Sequence, residues 1–305
     1  MKRIVERVMP DGYRRLVSPF HMSMKGLENA VLCRDDEDYG VMVKYIAICA
    51  RRKNVITIIY AVVSNHAHVA VLAESQKEAD DFGQELKRIY SMWFSRKYKE
   101  RGILQRIDAK AVPLENEFHI RNALAYIPRN AQDNGCSPHG YKWSGFKAMF
   151  RKENTPGRPV CLMTTRDWED LMHTGDSLKD VSWRLDSRDD IIPDSFCDSQ
   201  YLEQAFNGDP SFFYRTIGSV NPAEMNELLV EGPRRMLPDT ELYCIASDLC
   251  QQWFKQELNN LPYGKKSRIL SYLWRTRKTT SGQLARVLGL SRESVQEALV
   301  HITKK

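Results

Sequence analysis

The chain has 305 residues, 42% of them hydrophobic and 28% charged, with a formal net charge of +6. That apolar content excludes global disorder, the length points to about two domains, and the modest positive balance leans toward a polyanionic partner without requiring one. Seven cysteines stand singly with no CxxC pair, no run of 18 apolar residues occurs, and "MKRIVERVMPDGYRR" lacks the apolar core of a signal peptide. A disulfide framework, a structural zinc site and a membrane span are therefore not expected, and a cytoplasmic location is.

In chain order, "RRLVSPFHMSMKG" reads as a first strand closed by Gly26. "DDEDYGVMVKYIAICARRKN" places Val41, Tyr45, Ile48 and Cys49 at helical spacing, with acids in the first turn and bases in the last, as the helix dipole favours. "VITIIYAVVSN" is a β-branched strand, and "HAHVAVLAE" continues as its partner across a turn near Ser64 and Asn65. "KEADDFGQELKRIYSMWFSRKYKERG" is a long amphipathic helix ended by Gly102. "ILQRIDAKAVPL" reads as a further strand and "ENEFHIRNALAYI" as a further helix. The order β-α-β-β-α-β-α predicts an α+β fold: a ferredoxin-like antiparallel sheet with helices on one face, followed by a mostly helical C-terminal region. "RKENTPGRPV" marks a boundary, giving a first domain over 1–150, a linker and middle region over 151–237 to which no chemistry is assigned, and a helical domain over 238–305.

Within the fourth element His66 and His68 are one residue apart, so in a strand both rings leave the same face. An HxH step taken alone reads as a pair of exposed strand histidines. Two neutral imidazoles side by side can also hold a divalent cation. Tyr126 and Asn130 lie four residues apart on the last helix of this domain and so share a face. Packed beneath the histidine strand, that helix would add a phenol and an amide oxygen to the two imidazoles. Such a set suits attack of a tyrosine oxygen on phosphorus while a metal spreads the phosphate charge.

These residues resemble the single-tyrosine HUH transposases of insertion sequences, and especially the REP-associated tyrosine transposase group. The likeness runs through "FHMSMKG", "VLCRDDEDYGVMVKYI", "YAVVSNHAHVAVL", "YSMWFSRKYKERGILQRIDAKAV", "YIPRNAQDNG" and "GYKWSGF", over roughly residues 10–150. It implies an HUH endonuclease fold in which His66, His68 and Asn130 bind Mg²⁺ or Mn²⁺ and Tyr126 attacks DNA, leaving a 5′-phosphotyrosine. The substrate implied is single-stranded or hairpin DNA. Members include dimers with shared active sites and monomers, so a homodimer is one of two expectations, and a DNA enzyme of this kind would associate with the bacterial nucleoid. Ala67 is smaller than the family's usual middle residue. Pro128 stands between Tyr126 and Asn130, where proline removes a backbone donor and would kink the helix.

Two further stretches bear on DNA. Tyr90, Trp93, Phe94 and Tyr98 recur at near-helical spacing beside Arg88, Arg96, Lys97, Lys99 and Arg101. That interleaving describes a core stripe with a solvated basic face, or a surface that stacks and clamps single-stranded DNA, with Arg88, Arg96, Lys97 and Arg101 as its cations. "TTSGQLARVLGLSRESVQEALVHI" resembles a helix-turn-helix: Thr280 or Ser281 caps one helix, Gly289 turns, and Ser291 caps a second. Its second helix would bring Arg292, Ser294 and Gln296 to base edges. The reading is a metal-dependent single-strand DNA endonuclease and transposase. Its rivals are a domesticated, non-cleaving DNA-binding protein or repressor, favoured by Pro128, and a metal-independent RNA-binding sheet.

Overall fold

A computed structural model describes residues 3–25, 31–100, 102, 104, 107–134, 136–220, 239–277 and 279–303. The chain divides into two compact units, Met1–Pro233 and Arg234–Lys305. The segment 151–160, read above as a boundary, lies inside the first of them.

The first unit is built on strands β1 (Val5–Val8), β2 (Arg14–Lys25), β3 (Ile56–Val62), β4 (His66–Ala73) and β5 (Asp108–Pro113). All pair antiparallel in the order β5-β2-β4-β3, with β1 hydrogen-bonded to the first residues of β2. Helix α1 (Asp36–Arg52) joins β2 to β3, and α2 (Gln76–Tyr98) joins β4 to β5. Both helices begin as their sequences require. Asp35 accepts from the Asp38 amide to cap α1, and Ser75 accepts from the Glu78 amide to cap α2. Helix α2 stops earlier than the glycine suggests, because Lys99 takes the left-handed position at φ 57°. β1 has no counterpart in the sequence reading; four residues of alternating exposure, Val5–Val8, are a weak periodic signal.

Strand alternation sorts the sheet into two faces. Phe20, Met22, Met24, Val69 and Val71 point to the face covered by α1 and α2, where Phe82, Leu86 and Tyr90 complete a core. Ala70, Leu72, Ile59 and Ala61 point the other way, against Ile120, Ala123, Leu124 and Ile127 of α3 (Glu117–Arg129). Helices therefore cover both faces, which corrects the one-face expectation. The physical reason is that α3 carries an apolar stripe at i, i+3, i+4 and i+7 that has to be buried, and the α1–α2 face is already full.

Residues 151–220 finish both layers. Val160, Trp168, Met172, Trp183 and Leu185 join the α1–α2 core, around α4 (Thr165–Leu171) and the short ribbon of β6 (Arg158–Pro159) and β7 (Arg184–Leu185). Tyr201, Leu202, Phe206, Phe213 and Ile217 of α5 (Ser199–Ala205) and α6 (Pro210–Ser219), with the turn between them, join the α3 core. This segment is wall, not linker. Its aromatics had no visible period because each packs from a short turn or helix.

The second unit is helical: α7 (Asp239–Phe254), α8 (Tyr263–Thr276), α9 (Ser281–Leu288) and α10 (Arg292–Thr303). Leu242, Ala246, Ile269, Leu273, Leu284, Leu288 and Val295 form its core. Thr280 caps α9 by accepting from the Gln283 amide, and Gly289 ends it at φ 59°. Ser291 accepts from the Ser294 amide at 3.1 Å and caps α10.

Candidate functional site

The α3 face of the sheet holds a polar patch at the end of β4. Alternation puts His66 and His68 on this face, and the antiparallel register places His21 of β2 opposite Ala70, one diagonal step from His68. The rings gather tightly. The His66 and His68 centroids are 4.8 Å apart edge-on, and those of His21 and His68 are stacked at 5.0 Å. The Tyr126 ring meets His68 edge-on at 5.3 Å. His21, His68, Tyr126 and Asn130 are buried, whereas His66 is partly exposed and forms the mouth of the site.

Helix α3 delivers its two members in one turn. Pro128 sits inside the helix and does not throw Asn130 off register. Pro128 falls in the last turn, where it removes the N–H that would donate to the Leu124 carbonyl, and Asn130 takes over the helix end. Its backbone amide reaches the carbonyls of Tyr126, Ile127 and Pro128. Its side-chain Nδ2 donates to the carbonyls of Tyr126 at 2.8 Å and Ile127 at 3.3 Å. With both amide hydrogens committed to the helix end, Oδ1 is the atom presented to the site, and it lies 3.2 Å from Nε2 of His66.

The imidazoles are held from behind. Nδ1 of His66 meets Oδ1 of Asn65 at 2.7 Å, and Nδ1 of His68 meets Nε2 of His21 at 3.0 Å. His66 thus has an amide oxygen against each ring nitrogen, and a neutral imidazole has one N–H for the two. Two imidazoles and an amide oxygen are a donor set that fits a divalent ion, with His21 and Asn65 in the place of the outer partners that orient metal-bound histidines. Among the described residues, no group of three His, Cys, Asp or Glu side chains is arranged to hold a metal. The third donor here is an amide, so oxygens from outside the protein would complete the set.

His21 is not among the candidates that the sequence analysis singles out. Its signal was available: in "PFHMSMK" alternation sets His21 and Ser23 against Phe20, Met22 and Met24. Only the pairing of β2 with β4 shows that His21 shares the face of His66 and His68.

The proposed DNA-gripping residues fall elsewhere, in three situations. On α2 the aromatic stripe is core: Tyr90 and Phe94 are 0% and 1% exposed, with Trp93 and Tyr98 packed against them. That corrects the stacking-surface expectation for these rings. Lys97 is consumed by acids, reaching Asp35 at 2.7 Å, Glu37 at 2.8 Å and Asp38 at 2.7 Å. Arg88 pairs with Glu85 at 2.8 Å while remaining more than half exposed. Arg96 is exposed and lines, with Arg52, Arg88 and His173, a shallow cleft of about 200 Å³. Arg101 lies outside the described residues.

In the second unit, Arg292 and Gln296 are exposed on α10. The Ser294 hydroxyl is 2.9 Å from that of Ser291, and its carbonyl accepts from the Tyr263 hydroxyl at 3.1 Å. Ser294 therefore works at the start of the helix, while Arg292 and Gln296 face outward.

No helix among the described residues is long and apolar enough to cross a membrane. No family model and no curated protein matches the chain. Among solved structures, that of a REP-associated tyrosine transposase bound to a REP hairpin is similar at 14% sequence identity, covering 47% of this chain and 87% of that one, with a TM-score of 0.37. Similarity at that level does not assign the chain to a family.

Proposed function

We propose that this protein is a metal-dependent HUH-type endonuclease that nicks and rejoins single-stranded or hairpin DNA through Tyr126, on a ferredoxin-like scaffold. The observation that carries the reading is convergence. Four residues singled out from two separate stretches of sequence, His66, His68, Tyr126 and Asn130, meet on one face of the sheet. The ordered series of motifs resembling the single-tyrosine transposases supports it.

In this reading His66, His68 and Asn130 hold Mg²⁺ or Mn²⁺, with His21 and Asn65 orienting the two rings. The ion, when bound, draws charge off the non-bridging oxygens of the target phosphate. Tyr126 supplies the nucleophile. Its Oη forms the bond to phosphorus as the bond to the 3′ oxygen breaks, leaving a 3′-hydroxyl and a 5′-phosphotyrosine. The phenolic proton leaves to solvent and one is taken up by the departing 3′ oxygen. The reverse step rejoins the strand with no external energy source, because the phosphodiester energy is kept in the tyrosyl ester. Residues 234–305 carry thirteen Lys and Arg against six Asp and Glu, which suits the second unit to phosphate contacts. In this reading α9 and α10 act as a helix-turn-helix with Arg292 and Gln296 toward the bases.

The burial of Tyr126 at 2% exposure favours a second reading, a non-cleaving DNA-binding protein or repressor. One experiment separates them. Labelled hairpin-bearing single-stranded DNA is incubated with the protein, with and without Mg²⁺ or Mn²⁺, and run on a denaturing protein gel beside Tyr126→Phe and His66→Ala. A metal-dependent covalent adduct, absent from both variants, is the expected result. DNA binding without an adduct under either metal would sink the nuclease and leave the repressor.

A further inference from the structure

Helices α1 and α2 pack together on the side of the sheet away from Tyr126, and the cleft of about 200 Å³ that Arg96 lines runs between them. Three segments each bring a hydrogen-bonding side chain to it: Tyr45 from α1, Arg96 from α2 and His173 from the turn after α4. Among the described residues none of the three has a hydrogen-bond or ion-pair partner, and none of their polar atoms is closed to solvent. Tyr45 is only 6% exposed, so its ring is packed away and its hydroxyl is left open to the cleft. Burial pushes that hydroxyl up to about 12, against the pull of the Arg96 charge nearby, and it stays a protonated donor at neutral pH.

The other cations of the wall are already spent. Arg52 holds Asp176 at 2.6 Å and Glu85 at 3.0 Å, and it donates to the Thr174 hydroxyl at 3.2 Å, which ties the turn carrying His173 to α1. Arg88 shares Glu85 at 2.8 Å. Two cations thus balance two acids, no carboxylate is among the residues lining the cleft, and the Arg96 charge is left over. Solvation of a surface arginine accounts for Arg96 alone. It does not account for a buried phenol and an imidazole, brought from two other segments with their hydrogen-bonding capacity unused.

Phenol, guanidinium and imidazole all donate, so the complementary ligand is an acceptor, and the spare charge makes it an anion. Three donors from three segments match the three terminal oxygens of a phosphoryl group, whereas a carboxylate or a phosphodiester offers two. The Trp93 ring, 6.4 Å from that of His173, provides an apolar wall for the organic part of the ligand.

We propose that this cleft binds a phosphate monoester, whose terminal oxygens are taken by Arg96, Tyr45 and His173. The proposal does not depend on the DNA reading, because the cleft and Tyr126 lie on opposite sides of the sheet. The phosphoryl group has two sources, a small phosphorylated molecule or the 5′-phosphate at the end of a strand.

The test is calorimetric titration of the full-length protein, in metal-free buffer, with inorganic phosphate, with adenosine 5′-monophosphate, and with a tetranucleotide carrying either a 5′-phosphate or a 5′-hydroxyl. Arg96→Gln is expected to weaken binding of the phosphorylated probes about tenfold or more, and Tyr45→Phe about fivefold, as for one charged and one neutral hydrogen bond. Arg96→Lys should recover part of the loss, since it keeps the charge without the fork. Thermal melts of each variant show that it is folded, and Arg96 is exposed, so its replacement leaves the core untouched.

Binding of phosphate and the mononucleotide, but not of the phosphorylated strand, identifies a small molecule as the source. Binding of the strand in preference to its 5′-hydroxyl counterpart identifies a strand end. Failure of every phosphorylated probe to bind, or unchanged affinity in folded Arg96→Gln, would overturn the proposal. So would a 5′-hydroxyl strand that binds as tightly and loses as much in the same variants, since the cleft would then hold backbone phosphodiesters.

Discussion

Nδ1 of His68 lies 3.0 Å from Nε2 of His21, a buried imidazole pair formed across β4 and β2. That pair fixes which nitrogen His68 turns away from the strand pairing, because one of its two ring nitrogens is already occupied. His21 is therefore a positioning residue for the candidate metal set and touches neither the ion nor the DNA in the proposed reaction. Replacing it by Ala should lower Mn²⁺ affinity about 10- to 100-fold, the usual cost of losing an outer partner of a metal-bound histidine. Calorimetric titration of Mn²⁺ into wild type and His21→Ala measures this. Equal affinities would show that the pair is packing alone.

Asn130 serves the helix and the site with opposite ends of one amide. Asn130→Asp strengthens the ligand on paper, yet a carboxylate cannot donate to the Tyr126 and Ile127 carbonyls that Nδ2 now satisfies. The expected result is a loss of about 1–3 kcal/mol of stability in metal-free buffer. Mn²⁺ should recover part of it by binding the folded state. Thermal melts of the variant with and without Mn²⁺ are the measurement.

Lys97 is held by three carboxylates, one of which, Asp38, has no exposed side-chain surface. Asp38 also accepts from the Arg34 amide and the Tyr98 hydroxyl, which tie α1 to the end of α2. Lys97→Met should cost roughly 3 kcal/mol by leaving a buried carboxylate short of its cation. Asp38→Asn in the same chain should return part of that. DNA affinity of the folded Lys97→Met protein should match wild type, because this ammonium is already spent on acids.

Burial pushes the His119 imidazole below its ordinary value of 6.5. Its Nε2 is shut off from solvent with no described partner. The folded pKa lies below the unfolded one, so above about 6.5 both states are neutral and stability is full. As pH falls below 6.5 the unfolded chain takes up the proton first and stability drops. Glu85 behaves alike in a separate window. The Arg88 hydrogen bond, against some opposing burial, holds its carboxyl at about 2, so its contribution fades only below about 4.5. Denaturant melts between pH 7.5 and 5 should show a slope that His119→Gln reduces and Glu85→Gln leaves in place.

Trp168 and Phe213 test whether residues 151–220 belong to the fold. Trp168 is buried and donates from Nε1 to the Val160 carbonyl at 2.8 Å, and Phe213 is fully buried against Phe206 and Phe146. Trp168→Ala and Phe213→Ala should each cost about 3–5 kcal/mol. A detachable linker would lose nothing measurable, so urea melts of the two variants decide.

The order of strands and helices was written in local terms, and so it was legible. Acids before and bases after the first helical stripe, and β-branched runs with period two, mark elements whose causes lie within a few residues. The shared side of His66 and His68 was legible for the same reason, since alternation is a property of one strand. So was the face shared by Tyr126 and Asn130, even with Pro128 between them, because the backbone stays helical through Asn130.

What lay beyond the sequence depends on which surfaces meet. Helix α3 takes the opposite face from α1 and α2 because only that face remained unfilled, and this choice sets Tyr126 against His68. His21 becomes a partner of His68 through strand register. Tyr90 and Phe94 become core and Lys97 an internal ion pair, because α2 turns its aromatic stripe inward, while the same spacing on paper equally describes a DNA-stacking surface. Arg129 reads in sequence as one more basic residue at a helix end. Tertiary packing alone closes off two of its donors and leaves them without an acceptor among the described residues, because whether a charge is satisfied depends on what the fold brings to it.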